Sequence, residues 1–125
     1  AQIEKLRKII SLKKRINNIY KENIKKIDGL SIMPIPPYSK SNYWINILKI
    51  DKNYKYSKNN LLKKLISQNI EARSIWYPNH LQKPYKNNQT YKIKMANSIF
   101  KNYLCLPSSS YLKQNQIKFI VDNLK

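Results

Sequence analysis

The sequence predicts an α/β (α+β) fold: a small sheet covered by helices and entered through one long helix. Three observations carry this. Apolar residues recur at three- and four-residue steps over the first 27 positions without a Pro or Gly. Tyr43 to Ile50 is dense in aromatic and β-branched residues. From there on, helix-period and strand-period stretches alternate, the pattern of helices layered on a sheet.

The elements are predicted in order. Residues 2 to 27 read as a helix, with Ile3, Leu6, Ile9, Leu12, Ile16, Ile19, Ile24 and Ile27 on its apolar face. Such a helix spans roughly 39 Å, long for a small domain, and is expected to bridge two domains. Asp28-Gly29, with the chain's single glycine, ends it. Leu30 to Pro37 holds Pro34, Pro36 and Pro37 and so reads as an extended edge segment, since proline cannot donate to a ladder. Residues 43–50 form the best strand, and 51–56 a turn. Ser57 caps a helix over 58–68 with Leu61, Leu62, Leu65 and Ile66 inward, closed by Asn69. Ile70 to Tyr77 reads as a strand ending at Pro78, and 79–90 as a loop. Tyr91 to Tyr103 reads as a helix using Ile93, Ala96, Ile99, Phe100 and Tyr103. Leu104 to Ser110 is a short strand running into a polar turn. The last helix covers 113–124, with Ile117, Ile120, Val121 and Leu124 inward.

Composition narrows the function. The 125 residues suit one domain, and 42% apolar content supports folding. No apolar run is long enough to span a bilayer, and no signal pattern opens the chain. It begins instead without Met and directly in helical sequence, which is the expectation for a piece of a longer protein. The formal charge of +19 raises the alternative of a basic nucleic-acid or polyanion-binding module. However, the excess is nearly all lysine and is spread evenly, with no basic cluster interleaved with stacking aromatics; a bias toward A/T-rich codons explains it without such a partner. With one glycine there is no phosphate-binding loop, and the six acidic residues are scattered, so no paired carboxylates suggest acid–base or metal work. The single cysteine, Cys105, excludes an internal disulfide and fits a reducing cytosol.

Scarce, site-capable side chains gather between Glu71 and Tyr85: the only histidine, His80, together with Arg73, Trp76, Tyr77, Pro78 and Pro84. Each has a plainer reading. Arg73 can pair locally, Trp76 can fill the core, and a lone histidine is usually satisfied by a neighbour. A Cys105–His80 nucleophile pair is conceivable, but a thiol between Leu104 and Leu106 in a strand is expected to be buried and inert.

Several stretches carry a family resemblance. They are Ala1 to Leu6 with Lys13-Lys14-Arg15-Ile16 and Tyr20; Asn42-Tyr43-Trp44; Asn69-Ile70-Glu71-Ala72-Arg73; Tyr77 to Lys86, which is similar to a Pro-x-His-Leu-Gln-x-Pro-Tyr signature; and Leu104 to Ser109, which is similar to a Leu-x-Leu-Pro-Ser strand and turn. In this order they resemble the C-terminal domain of the DegT/DnrJ/EryC1/StrS family of pyridoxal-phosphate-dependent nucleotide-sugar aminotransferases. Asn69 departs from the family's usual Gly, and Ser74 from its usual Pro.

The resemblance implies the small C-terminal domain of a fold-type-I aminotransferase. Residues 1–28 would be the interdomain helix and 29–125 the small domain, with the large cofactor-binding domain upstream. It also implies pyridoxal 5'-phosphate in the parent enzyme, a Schiff-base lysine outside this chain, and transfer of an amino group from a donor such as glutamate to a nucleotide-linked keto-sugar. A cytoplasmic homodimer is implied as well. The wording of 79–86 is most similar to the branch making bacillosamine and legionaminic-acid precursors. By the same resemblance His80, Arg73, Tyr77 and Trp76 are substrate-contact candidates, with Ser108 to Ser110 as possible hydroxyl donors, and the isolated chain is expected to be inactive.

Overall fold

The computed structural model describes residues 2–125. The first helix is shorter than its periodicity suggests. A 3₁₀ turn over Ile3–Lys5 precedes helix α1, Leu6–Ile24, which is about 28 Å long. Ile3 is 82% exposed and Leu6 half exposed, whereas Ile16, Tyr20 and Ile24 are buried. Only the C-terminal half of the apolar stripe therefore finds a partner within this chain.

Gly29 then reverses the chain at φ +76°, and a Cβ placed there would lie 2.8 Å from the Tyr54 backbone nitrogen. This is a position that demands glycine on both conformation and space. Strand β1 (Leu30–Ile32) stops ahead of the prolines and occupies a sheet edge, as expected; β2 (Asn46–Ile50) lies beside it. Tyr43 and Trp44, expected in that strand, precede it, with Tyr43 at φ 55°. Helix α2 (Lys58–Ser67) is capped by the Ser57 side chain, which accepts from the Asn60 amide, and Asn69 closes it in the left-handed region at φ 57°.

The strand expected over 70–77 contracts to β3, Arg73–Ser74. Helix α3 covers Lys94–Asn102, and Tyr103 opens strand β4 (Tyr103–Leu106) in place of ending the helix. Helix α4 is Gln114–Asp122. Two inward assignments are corrected: Ile66 is 56% exposed and Ala96 faces out. Both carried the right spacing, but no other element covers that side of their helices.

The four strands run β1-β2-β4-β3, every neighbouring pair antiparallel. Leu30, Leu48, Ile50, Leu104 and Leu106 present one buried face to the helices, where Ile16, Tyr20, Ile24, Leu61, Leu65, Ile117, Ile120, Val121 and Leu124 complete a single core. On the other face Ile47, Cys105 and Arg73 lie in one row across three strands, because partners in register project to the same side. Burial pushes the Tyr20 phenol up, and its hydroxyl donates to the Pro107 carbonyl at 3.1 Å.

Asn46, a buried polar side chain, is fully engaged. Its Oδ1 accepts from Asn17 at 2.9 Å, and its Nδ2 donates to Ser108 Oγ at 2.9 Å. Among the described residues no buried side-chain nitrogen or oxygen lacks a partner. Among the described residues no helix is long and apolar enough to cross a membrane.

Candidate functional site

The uncovered sheet face opens into a cleft of about 420 Å³, lined by Lys13, Trp44, Arg73, Ser74, Trp76 and Cys105 among others. Strand register explains the assembly. Arg73 pairs with Cys105, so β3 places its guanidinium over the outer face, while Trp76 continues past the end of that strand. Trp44 arrives from the segment ahead of β2. The two indoles stand 6.0 Å apart between centroids, tilted by 39°, and are 63% and 64% exposed. Trp76 is thus not core, contrary to the plainer expectation, because the strand that would have buried it ends at Ser74. Two large exposed aromatic faces beside one another offer a platform for a planar or apolar ring.

The charges of the cleft are already partly engaged. The Lys13 ammonium donates to the Ser108 carbonyl at 2.8 Å and the Trp44 carbonyl at 3.3 Å, tying α1 to both walls. Arg73 pairs with Glu71, whose hydrogen bond and charge hold the guanidinium's pKa above its usual value; both side chains are about three-quarters exposed. A pair this exposed is weak and exchangeable, so Arg73 can turn to an incoming anion at little cost. Cys105 is half-buried, not enclosed. Burial pushes its thiol pKa up while nearby Arg73 pulls it back, and the net rise keeps it protonated and poorly nucleophilic.

His80 lies elsewhere. Pro78 and Pro84 fix the backbone around two 3₁₀ turns, Asn79–Leu81 and Lys83–Tyr85, and Gln82 Nε2 braces them by donating to Tyr77 O at 3.2 Å and Asn79 Oδ1 at 3.1 Å. His80 Nε2 meets Asn97 Oδ1 at 2.8 Å. The ring borders a shallow depression of about 330 Å³ with Asn79, Tyr85, Asn88, Thr90 and Tyr91. Tyr77 packs edge-on against Phe100, 5.2 Å between centroids.

The structure therefore joins Arg73 and Trp76 in one cleft, leaves His80 in another, and uses Tyr77 to seat α3. It does not assemble a Cys105–His80 pair: the two line different cavities, and His80 is bonded to Asn97. Ser108 is not a free hydroxyl either. Its Oγ accepts from the Asn46 amide at 2.8 Å and the Asn46 side chain at 2.9 Å, and donates to Leu106 O at 2.9 Å. Ser109 Oγ accepts from the Tyr111 amide.

Lys13, Trp44 and Asn97 were not among the candidate site residues. Lys13 and Trp44 had a signal, since both fall in stretches that carry the resemblance and Trp44 is one of only two tryptophans. Asn97 is of a type so common here that nothing local marks it. Among the described residues no group of three His, Cys, Asp or Glu side chains could hold a metal.

Residues 1–125 match the DegT/DnrJ/EryC1/StrS aminotransferase family. Over 128 residues the chain is 29% identical to a putative pyridoxal phosphate-dependent aminotransferase, EpsN, of Bacillus subtilis (strain 168), covering 99% of this chain and 32% of that protein. It is 28% identical over 131 residues to a GDP-perosamine synthase of Vibrio cholerae, covering 100% of this chain and 34% of the relative. Among solved structures, DesI in the presence of its TDP-sugar product superposes with a TM-score of 0.88 at 17% identity, covering 98% of this chain and 32% of that one, which shows the shared fold. The chain thus spans about a third of the length of the curated relatives it matches.

Proposed function

The chain belongs to the DegT/DnrJ/EryC1/StrS aminotransferase family, and on that premise we propose that it is the C-terminal part of a pyridoxal-phosphate-dependent enzyme. That enzyme transfers an amino group, typically from glutamate, to the keto carbon of a nucleotide-linked sugar. Residues 1–28 would serve as the interdomain helix and 29–125 as the small domain, in a cytoplasmic homodimer. The observation that carries the reading is the family match along the whole chain. Relatives whose names specify GDP-perosamine synthesis and a dTDP-4-amino-4,6-dideoxy-D-glucose transaminase support it. The bacillosamine and legionaminic-acid branch, with UDP-linked 4-keto sugars, is the finer assignment that the wording of residues 79–86 favours.

The residues present do not fit the cofactor itself. Pyridoxal phosphate needs a lysine free to form an imine, a carboxylate facing its ring nitrogen and a set of phosphate donors. Lys13 alone among the lysines lines the cleft, and its ammonium is committed to two backbone carbonyls; the carboxylate there, Glu71, is paired with Arg73. The reactive lysine is accordingly assigned outside this chain, and the 125 residues alone are expected not to transaminate.

Their part is recognition. Arg73, with a planar fork suited to diphosphate or carboxylate, would exchange Glu71 for the ligand's anion. Trp76, joined by Trp44, would pack against a ring of the substrate. His80 would hydrogen-bond it from the neighbouring loop, which Tyr77 holds in place. The test is the full-length protein supplied with pyridoxal phosphate, glutamate and UDP-, GDP- and dTDP-linked 4-keto sugars, with products read by mass spectrometry. Formation of an amino sugar from one of them is expected; its absence from all three sinks the proposal.

A further inference from the structure

Trp44 owes its place to something other than the sheet. Strand β2 begins two residues later, at Asn46, so no ladder pairing reaches the Trp44 backbone. The turn that carries it is local: the Trp44 amide donates to Asn42 Oδ1 at 3.0 Å, and the Tyr43 amide to Ser41 Oγ at 3.0 Å. Tyr43 holds φ 55°, a left-handed conformation that a bulky residue keeps only where its surroundings impose it. Among the described residues, one group from outside 41–44 hydrogen-bonds the Trp44 backbone. It is the Lys13 ammonium, which donates to the carbonyl at 3.3 Å.

The same ammonium donates to the Ser108 carbonyl at 2.8 Å, on the other wall of the cleft. Ser108 is held in turn by Asn46, and Asn46 by Asn17, which lies four residues from Lys13 and so on the same face of α1. The circuit Lys13–Ser108–Asn46–Asn17 thus closes on a helix. It gives the ammonium a fixed origin from which to hold the wall residue that the ladder leaves out.

We infer that Lys13 is the positioning residue of the aromatic pair, holding Trp44 from α1 at the 6.0 Å that separates the two indoles, before any ligand arrives. The inference rests on the reading of Trp76 and Trp44 as a platform for a substrate ring, and adds the residue that sets that platform. A pre-set pair spares the ligand the ordering of two exposed side chains, and that saving is the contribution of Lys13 to affinity. The two cations that line the cleft accordingly divide the work. Lys13 has spent two of its three N–H donors on carbonyls, whereas Arg73, in an exposed pair with Glu71, is the one left to meet an anion.

The test uses the full-length protein labelled with ¹⁵N-tryptophan and free of ligand. The indole N–H signals of Trp44 and Trp76 are assigned by their loss in Trp44→Leu and Trp76→Leu, and the displacement of each signal when the other ring is removed measures their contact. In Lys13→Met, which keeps the apolar stem and removes the ammonium, that displacement is expected to fall by more than about half. In Lys13→Arg, which keeps charged donors, it should be retained. Asn17→Ala removes a bond of the same circuit that does not touch Trp44, so it should lower the unfolding midpoint and leave the displacement in place. A full displacement in Lys13→Met overturns the inference. So does an equal loss in Lys13→Arg, which would assign the effect to packing of the stem, or in Asn17→Ala, which would assign it to general loosening.

Kinetics then tie the pair to substrate. Lys13→Met should raise KM for the nucleotide sugar roughly fivefold with kcat unchanged, the loss of about one hydrogen bond, and Lys13→Arg should bring KM back toward the parent value. An unchanged KM in a Lys13→Met protein whose indoles have separated overturns the role in recognition. If the parent turns over no nucleotide sugar, the proposed function fails, and the indole signals alone decide whether Lys13 positions the pair.

Discussion

Two regions of this chain are built on opposite plans. Among the described residues, all the buried side chains lie on either side of residues 73–103, from Ile16 to Ala72 and from Leu104 to Leu124, closed around Tyr20, Leu48, Leu61 and Leu104. Residues 73–103 themselves bury nothing fully, yet they hold Arg73, Trp76, Tyr77, His80 and Asn97. The first region places its polar groups where the fold consumes them, as with Asn46, Ser108 and Tyr54. The second keeps its polar and aromatic groups accessible, held by local ties: Tyr77 on Phe100, His80 on Asn97, and the Lys58 ammonium, which donates to Phe100 O at 2.7 Å and lies 4.3 Å over the Phe100 ring. Stability and the proposed recognition therefore fall on different residues, and substitutions should separate them.

The sharpest contrast comes from Leu104→Ala, which removes a fully buried side chain at the centre of the sheet and should cost about 3 kcal/mol or more in chemical unfolding. A loss below about 1 kcal/mol would break the division. Gly29→Ala comes next, at about 2–3 kcal/mol, because it imposes both a left-handed φ on alanine and a clash with the Tyr54 backbone. Tyr54→Phe should cost about 1 kcal/mol, the hydroxyl that donates to the Leu124 carbonyl.

The same Tyr54 gives a pH signature. Burial pushes its phenol from 10.0 up to about 12, so its contribution is intact below pH 10 and is lost as pH rises through 12. The unfolding free energy should fall in that window, and less steeply in Tyr54→Phe. The smallest effect on stability belongs to Trp76→Ala, within about 0.5 kcal/mol, since its indole is mostly in solvent. Under the proposed function the order reverses in the full-length protein: Trp76→Ala and Arg73→Ala should raise KM for the nucleotide sugar, and unchanged kinetics in both would remove the cleft from the proposed site.

Much of this was legible in the residues. The order of elements, the caps at Ser57 and Asn69, and the buried stripe of Ile117, Ile120, Val121 and Leu124 all follow from local rules: side-chain spacing, left-handed tolerance, and a hydroxyl three residues from a free amide. Gly29, expected to end the first helix, lies beyond it: that helix stops at Ile24, and Gly29 instead turns the chain into β1 against Tyr54. The concentration of scarce side chains from Glu71 to Tyr85 marked the segment that brings Arg73 and Trp76 to the cleft, and its resemblance pointed to the family that the match supports.

Where local rules failed, the missing information was lateral. Periodicity placed Ile66 and Ala96 inward and extended the first helix to Ile3, but spacing reports which residues share a face, not whether another element covers that face. Strand propensity ran β3 on to Tyr77, but only pairing with β4 decides where a ladder ends, and it ends at Ser74. That early stop put Trp76 outside the core and beside Trp44. The fold of the chain back across α3 gave His80 its partner in Asn97. The sequence by itself determined which residues could build a core and which could do chemistry. Tertiary structure alone decided which of the latter meet, because their contacts depend on strand register and chain reversal, which no local pattern encodes.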